Sequence, residues 1–60
     1  MLLKVETSKG ETVYINPWKV LFMYPHRAKT RIEMEDGTAF DAAHVEKVSL
    51  DDFVTFCIEN

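Results

Sequence analysis

The Asp36-Gly37 dipeptide constrains the fold of this chain more than any other feature of its sequence. Residues 30–35 before it alternate apolar and charged side chains, and residues 38–40 lead away from it. An Asp-Gly pair in such a setting predicts a β-hairpin with a type I′ turn, because that turn requires positive φ at both central residues.

A second hairpin signal lies near the start of the chain. Ser8-Lys9-Gly10-Glu11 separates residues 2–7 from residues 12–16, and the latter segment is rich in β-branched and aromatic side chains. A chain of 60 residues makes one domain at most, and a domain of this size buries only about 60% of its unfolded surface. We therefore expect a single domain, residues 1–60, that depends on close packing or on self-association.

Residues 18–24 form the densest apolar segment and lie between Pro17 and Pro25. The alternation of a strand predicts two faces for this segment, one with Trp18, Val20, Phe22 and Tyr24 and the other with Lys19, Leu21 and Met23. Because both faces carry apolar side chains, we expect either a helix or another protein to cover the second face. Residues 26–29 form a basic connection to the next strand.

The C-terminal segment changes to the period of a helix. Ser49-Leu50-Asp51-Asp52 has the pattern of a capping box. Apolar residues then recur on one helical stripe: Leu50, Phe53, Val54, Cys57 and Ile58. Residues 42–48 fit either an extended strand or one helical turn. The predicted fold is α+β, a small twisted antiparallel sheet or partly closed barrel of about five strands with one C-terminal helix packed on it.

The net charge of −3 conceals an asymmetry along the chain. Residues 1–31 hold six Lys or Arg and two acids, a charge of +4, whereas residues 32–60 hold one Lys and eight acids, a charge of −7. Such asymmetry can steer a charged partner or complement a second copy. The preferred interpretation is that the strands pair the two halves and interleave their charges.

The cysteine and histidine content argues against covalent or metal staples. Cys57 is the only cysteine, so the chain holds no internal disulfide, and we expect it to be a buried small hydrophobe rather than a reactive thiol. His26 and His44 lack the spacing of zinc ligands, so we expect neither a metal nor another cofactor. A lone cysteine is typical of a reducing compartment, which favours the cytoplasm.

No apolar segment approaches the ~20 residues that span a bilayer, and charge follows Met1 within three residues, so we expect neither a membrane span nor a signal peptide. We also expect no enzymatic activity. His26 and His44 have no nucleophile with an orienting partner nearby in the sequence, and Asp51 and Asp52, adjacent on a helix, point about 100° apart. The sequence therefore offers no catalytic residues.

Two binding interpretations remain open. Trp18, Leu21 and Met23, with Tyr14 expected nearby in the sheet, suit a protein interface, since Trp, Tyr and Met are enriched in such surfaces. The alternative is nucleic-acid binding by the only basic cluster: Tyr24, His26, Arg27, Lys29 and Arg31. The overall acidity counts against nucleic acid. We therefore expect a protein-binding adaptor or regulator, active as a homodimer.

From Val13 to about Phe53 the order of features resembles the FlbD-like family of small bacterial motility proteins. The matching residues are Lys9-Gly10, Ile15-Asn16-Pro17, Val20, Thr30-Arg31-Ile32, Asp36-Gly37 and Ser49-Leu50. The first half of a LytTR-type DNA-binding domain has a similar rhythm. The FlbD-like resemblance implies a non-enzymatic accessory or regulatory protein, as do size and charge, which are typical of small phage and bacterial modulators of larger machines.

Overall fold

The computed structural model describes residues 1–59, which form an antiparallel sheet followed by one helix. The strands are β1 (Leu2–Thr7), β2 (Thr12–Ile15), β3 (Val20–His26), β4 (Lys29–Met34) and β5 (Ala39–Val48). A 3₁₀ turn, Pro17–Lys19, precedes β3, and the helix α1 covers Leu50–Glu59. The predicted α+β fold is confirmed, and residues 42–48, which fitted strand or helix, belong to β5.

The order of strands in the sheet is β2-β1-β5-β4-β3. Neighbours in the chain pair with each other except β2 and β3, and β1 also pairs with β5. A β2–β3 pair would therefore close the barrel, but the 3₁₀ turn bridges these two strands instead. The sheet is open between them, which leaves β2 and β3 as its two edges.

The hydrophobic core lies on one face of this sheet. Val5 of β1 and Ile32 of β4 are completely buried, and Ile15 and Ala42 are almost so. Partly buried residues packed against them all come from strands: Leu3, Val13, Val20, Met34, Phe40 and Val45. Within residues 1–59 no residue of α1 belongs to this cluster, so strand residues alone form the core.

The Asp36-Gly37 turn forms a hairpin, but its type differs from the prediction. Gly37 adopts a φ of 92°, whereas Asp36 is outside the positive-φ region. The N–H of Gly37 donates to the carbonyl of Met34 at 3.0 Å, and the N–H of Met34 donates to the carbonyl of Thr38 at 2.8 Å. These bonds describe a turn followed by one left-handed glycine, the three-residue loop with a bulge.

The two-residue type I′ turn lies instead at Arg27-Ala28, the tip of the β3–β4 hairpin. Arg27 has a φ of 51° and Ala28 a φ of 64°, and His26 pairs with Lys29 on either side of them. Neither residue is Gly or Asn, the types that adopt this conformation readily. Each left-handed residue costs about 1 kcal/mol, so the tip is conformationally strained.

The register of β3 also differs from simple alternation. Val20 pairs with Met34 and Met23 pairs with Ile32, with an irregularity between Val20 and Phe22. Met23 and Val20 therefore share the core face, while Phe22 lies on the opposite face. The predicted grouping of Val20 with Phe22 is wrong, because the bulge at Leu21 inserts one extra residue. Trp18 belongs to the 3₁₀ turn and not to the strand.

Helix α1 begins where the capping pattern predicts. The Ser49 hydroxyl oxygen accepts the N–H of Asp52 at 3.1 Å. The helix contacts the sheet through aromatic rings, since Tyr14 of β2 lies 5.1 Å from Phe53 and 4.9 Å from Phe56 between ring centroids. These contacts place the helix over β2, whereas the large apolar side chains of β3 remain exposed.

The predicted apolar stripe of α1 is wrong about which residues pack. Only Phe53 of that stripe is partly buried; Leu50, Val54 and Ile58 are exposed. Cys57, expected to be buried, is also exposed. The reason is that Phe53 and Phe56 together face Tyr14, which rotates the contact surface of the helix away from the stripe.

Candidate interaction surface on the third strand

Five large apolar side chains lie exposed along β3 and the turn that precedes it. Trp18 is 88% exposed, Leu21 60%, Phe22 56%, Met23 45% and Tyr24 38%. We call these five residues the β3 surface. Single exposed apolar residues are ordinary in soluble proteins, whereas five along one edge strand, on both faces of the sheet, form a candidate interaction surface.

The backbone of β3 is open as well. Among the strands described for residues 1–59, β3 pairs only with β4, so its other side carries backbone groups without a neighbouring strand. Pro25 lies in this strand, as expected of an edge, where a missing N–H costs least. Edge strands of natural proteins are normally short, charged or covered, and β3 has seven residues with apolar side chains in its middle.

The structure brings together three of the four predicted interface residues. Trp18, Leu21 and Met23 belong to the β3 surface, whereas Tyr14 does not. Tyr14 lies on β2, the other edge, and its ring contacts α1. Phe22 was missed because alternation assigned it to the core. Two apolar faces on a segment next to prolines could have signalled an edge strand instead.

All five residues of the predicted nucleic-acid cluster lie close together. They line a shallow depression on the β3–β4 hairpin, together with Asp41: Tyr24, His26, Arg27, Lys29 and Arg31. The rings of Tyr24 and His26 approach to 6.3 Å between centroids, edge to face. The cluster is therefore a spatial unit, and its chemistry depends on which of its groups already have partners.

Two members of the cluster are bound to carboxylates. Arg31 Nη1 donates to Asp41 Oδ1 at 3.0 Å, and this bond raises the pKa of the Arg31 guanidinium above its ordinary value. The Tyr24 hydroxyl donates to Glu33 Oε2 at 2.7 Å, and that bond raises the pKa of the Tyr24 phenol. Within residues 1–59, Arg27 and Lys29 make no ion pair. They hold the uncompensated positive charge of the cluster.

The interleaving of charges between the two halves of the chain is confirmed. Three bases of the first half pair with acids of the second: Lys4 with Glu46 at 3.8 Å, Lys19 with Glu35 at 3.1 Å and Arg31 with Asp41 at 3.0 Å. Asp36 accepts the N–H of Thr38 at 2.9 Å, which lowers the pKa of the Asp36 carboxyl. Asp36 therefore stays ionised at neutral pH.

The histidines stand apart from each other. His44 Nε2 lies 3.6 Å from Glu46 Oε2, on β5, while His26 lies at the end of β3. Among residues 1–59, no group of three His, Cys, Asp or Glu side chains is arranged to hold a metal ion. None of the helices described over the same range has the length and apolarity needed to cross a membrane.

No protein-family model, curated protein or solved structure matches this chain.

Proposed function

We propose that this chain is a non-enzymatic protein-binding adaptor or regulator that acts in the cytoplasm as a homo-oligomer, modulating a larger assembly. The observation that carries the proposal is the β3 surface, an uncovered edge strand with five large exposed apolar side chains. The FlbD-like resemblance implies the same class of protein. A lone cysteine, which is typical of a reducing compartment, supports the proposed location.

Trp18 is the proposed anchor of this surface. It is the most exposed of the five side chains, it is large, and the 3₁₀ turn holds it at the start of β3. Asn16 fixes that turn, because its side-chain oxygen accepts the N–H of Trp18 at 3.0 Å. A large aromatic ring on an ordered backbone loses little conformational entropy on binding, which is why Trp dominates interface hot spots.

Capture of a partner by the tagged protein tests the proposal. We expect Trp18→Ala to abolish capture from lysate of the source cell, while Ile58→Ala leaves the capture intact. Ile58 is a matched control because it is apolar and 79% exposed but lies on α1. Equal capture by both variants and the unchanged chain would remove the β3 surface from consideration as the binding site.

Nucleic-acid binding is the second candidate, and the depression lined by basic side chains favours it. Few groups of this cluster are free to contact phosphates, since Arg31 is already bound to Asp41 and the Tyr24 hydroxyl to Glu33. Two unpaired cations, Arg27 and Lys29, would give a salt slope no steeper than about −2 on duplex DNA. This weak charge supports the protein-binding proposal over the nucleic-acid one.

Nuclease treatment separates the two candidates in the same capture experiment. If the protein binds a partner protein directly, capture survives nuclease, and it also survives Arg27→Glu with Lys29→Glu at protein concentrations that keep this variant oligomeric. Tight, salt-sensitive binding to random oligonucleotides that this double variant abolishes would favour the nucleic-acid function instead.

A further inference from the structure

The two ends of the β3–β4 hairpin carry opposite charge. At the tip, Arg27 and Lys29 contribute two positive charges that no carboxylate within residues 1–59 neutralises. The other end holds Glu33, Glu35 and Asp36 against Lys19 alone, which leaves two negative charges. The seven residues of β3 separate these ends by about 24 Å.

We propose that β3 pairs with β3 of a second copy, antiparallel, so that two five-stranded sheets join edge to edge about a twofold axis. This inference rests on the proposed function, of which self-association is a part. Antiparallel alignment reverses the second hairpin, and the basic tip of each copy then lies at the end of the other hairpin that carries net negative charge. A parallel alignment would place like charges together, which opposes association.

The backbone of β3 specifies the centre of this pairing. A two-residue turn closes on a hydrogen-bonded pair, here His26 and Lys29, and such pairs alternate with non-bonded ones along the ladder. On this alternation, Pro25 and Met23 direct their backbone groups to the open edge. Pro25 therefore lacks an N–H only on the open edge, and its pairing with β4 loses no hydrogen bond. Met23 can offer both its N–H and its carbonyl to Met23 of the second copy.

With Met23 opposite the partner's Met23, Phe22 lies opposite the partner's Tyr24. Aromatic pairs directly opposite each other stabilise adjacent strands, and the twofold axis would produce two such pairs. The same alignment sets Arg27 opposite the partner's Lys19, which is already paired with the partner's Glu35 at 3.1 Å. One register therefore matches aromatic side chains and backbone groups, and it brings hairpin ends of opposite net charge side by side.

The surface area of the chain also fits a dimer. A compact monomer of 7.0 kDa is expected to expose about 4,000 Å², whereas this chain exposes 4486 Å². The lower limit for a specific interface is about 500 Å² from each copy, which is close to this excess. The β2 edge is a weaker site because it has four residues and its Tyr14 packs against α1.

Charge-swapped variants test the alignment by sedimentation equilibrium. Arg27→Glu with Lys29→Glu makes the tip negative. Glu35→Lys with Asp36→Asn makes the turn positive, and Asn keeps the oxygen that accepts the Thr38 N–H. Each variant alone should dimerise about tenfold more weakly than the unchanged chain, and an equimolar mixture of the two should recover the lost affinity as a heterodimer.

A charge-matched control reverses Lys9 and Lys47 to Glu, since both lie outside the β3–β4 hairpin. This control should dimerise as tightly as the unchanged chain. Two results would overturn the β3 pairing: dimerisation that the tip and turn variants do not weaken, or weakened dimers that mixing does not restore. Neither result would overturn the proposed binding function, which the Trp18→Ala capture experiment tests. A chain that stays monomeric throughout the micromolar range would overturn both the pairing and the proposed self-association.

Discussion

Replacing Arg27-Ala28 by Asn-Gly should stabilise the fold. Both residues are left-handed, with φ of 51° and 64°, and each costs about 1 kcal/mol in that conformation. Asn and Gly adopt this conformation with little strain, which removes most of the cost. Gly also has greater conformational freedom in the unfolded chain, and this lowers the gain in stability by about 0.5–1 kcal/mol. The net gain is about 1 kcal/mol, which raises Tm by roughly 4–8 °C for a domain of this size.

Thermal unfolding followed by circular dichroism measures this gain, at a protein concentration low enough to avoid association. Arg27→Gln is the matched control, because it removes the same charge without relieving the backbone, and its Tm should not rise. Lys9→Asn is a second control in a turn where only the glycine is left-handed. If Asn-Gly leaves Tm unchanged or lowers it, the Arg27-Ala28 tip is not a strained type I′ turn in solution.

Three further predictions concern single side chains. Glu33→Gln should lower the pKa of the Tyr24 phenol, because the hydrogen bond from that phenol to Glu33 is the main cause of the raised pKa. An ultraviolet titration measures the pKa, and an unchanged pKa would mean that the 2.7 Å hydrogen bond does not form. The same bond should stabilise the fold fully below pH of about 10 and lose its effect as pH rises through the folded pKa, since it needs the protonated phenol. Ile32→Ala should lower the free energy of unfolding in urea by about 2–5 kcal/mol, and Phe22→Ala should lower it much less, because Ile32 is completely buried and Phe22 is 56% exposed. Equal losses of stability would place Phe22 in the core.

Local signals were sufficient for the class of fold. Both glycine turns, the apolar strands and the cap at Ser49 are visible in the sequence because each depends on neighbouring residues only. The turn geometry was less predictable. Asp36-Gly37 suits a type I′ turn, yet that turn formed at Arg27-Ala28, whose residue types disfavour it. The register of the β3–β4 pair, with Ile32 opposite Met23, closes the hairpin at Arg27-Ala28. This pairing overrides the low preference of Arg and Ala for left-handed backbone.

The candidate site depended on tertiary structure in a different way. The sequence showed that residues 18–24 are apolar on both faces, and it named Trp18, Leu21 and Met23 as interface residues. It could not show that β3 is an edge or that α1 packs on Tyr14 of the opposite edge. Strand order and helix placement are set by contacts between residues far apart in the chain. The periodicity of a single segment does not show which strands or helices will lie beside it. The bulge at Leu21, which turns Phe22 away from the core, is likewise defined by β4 across the ladder.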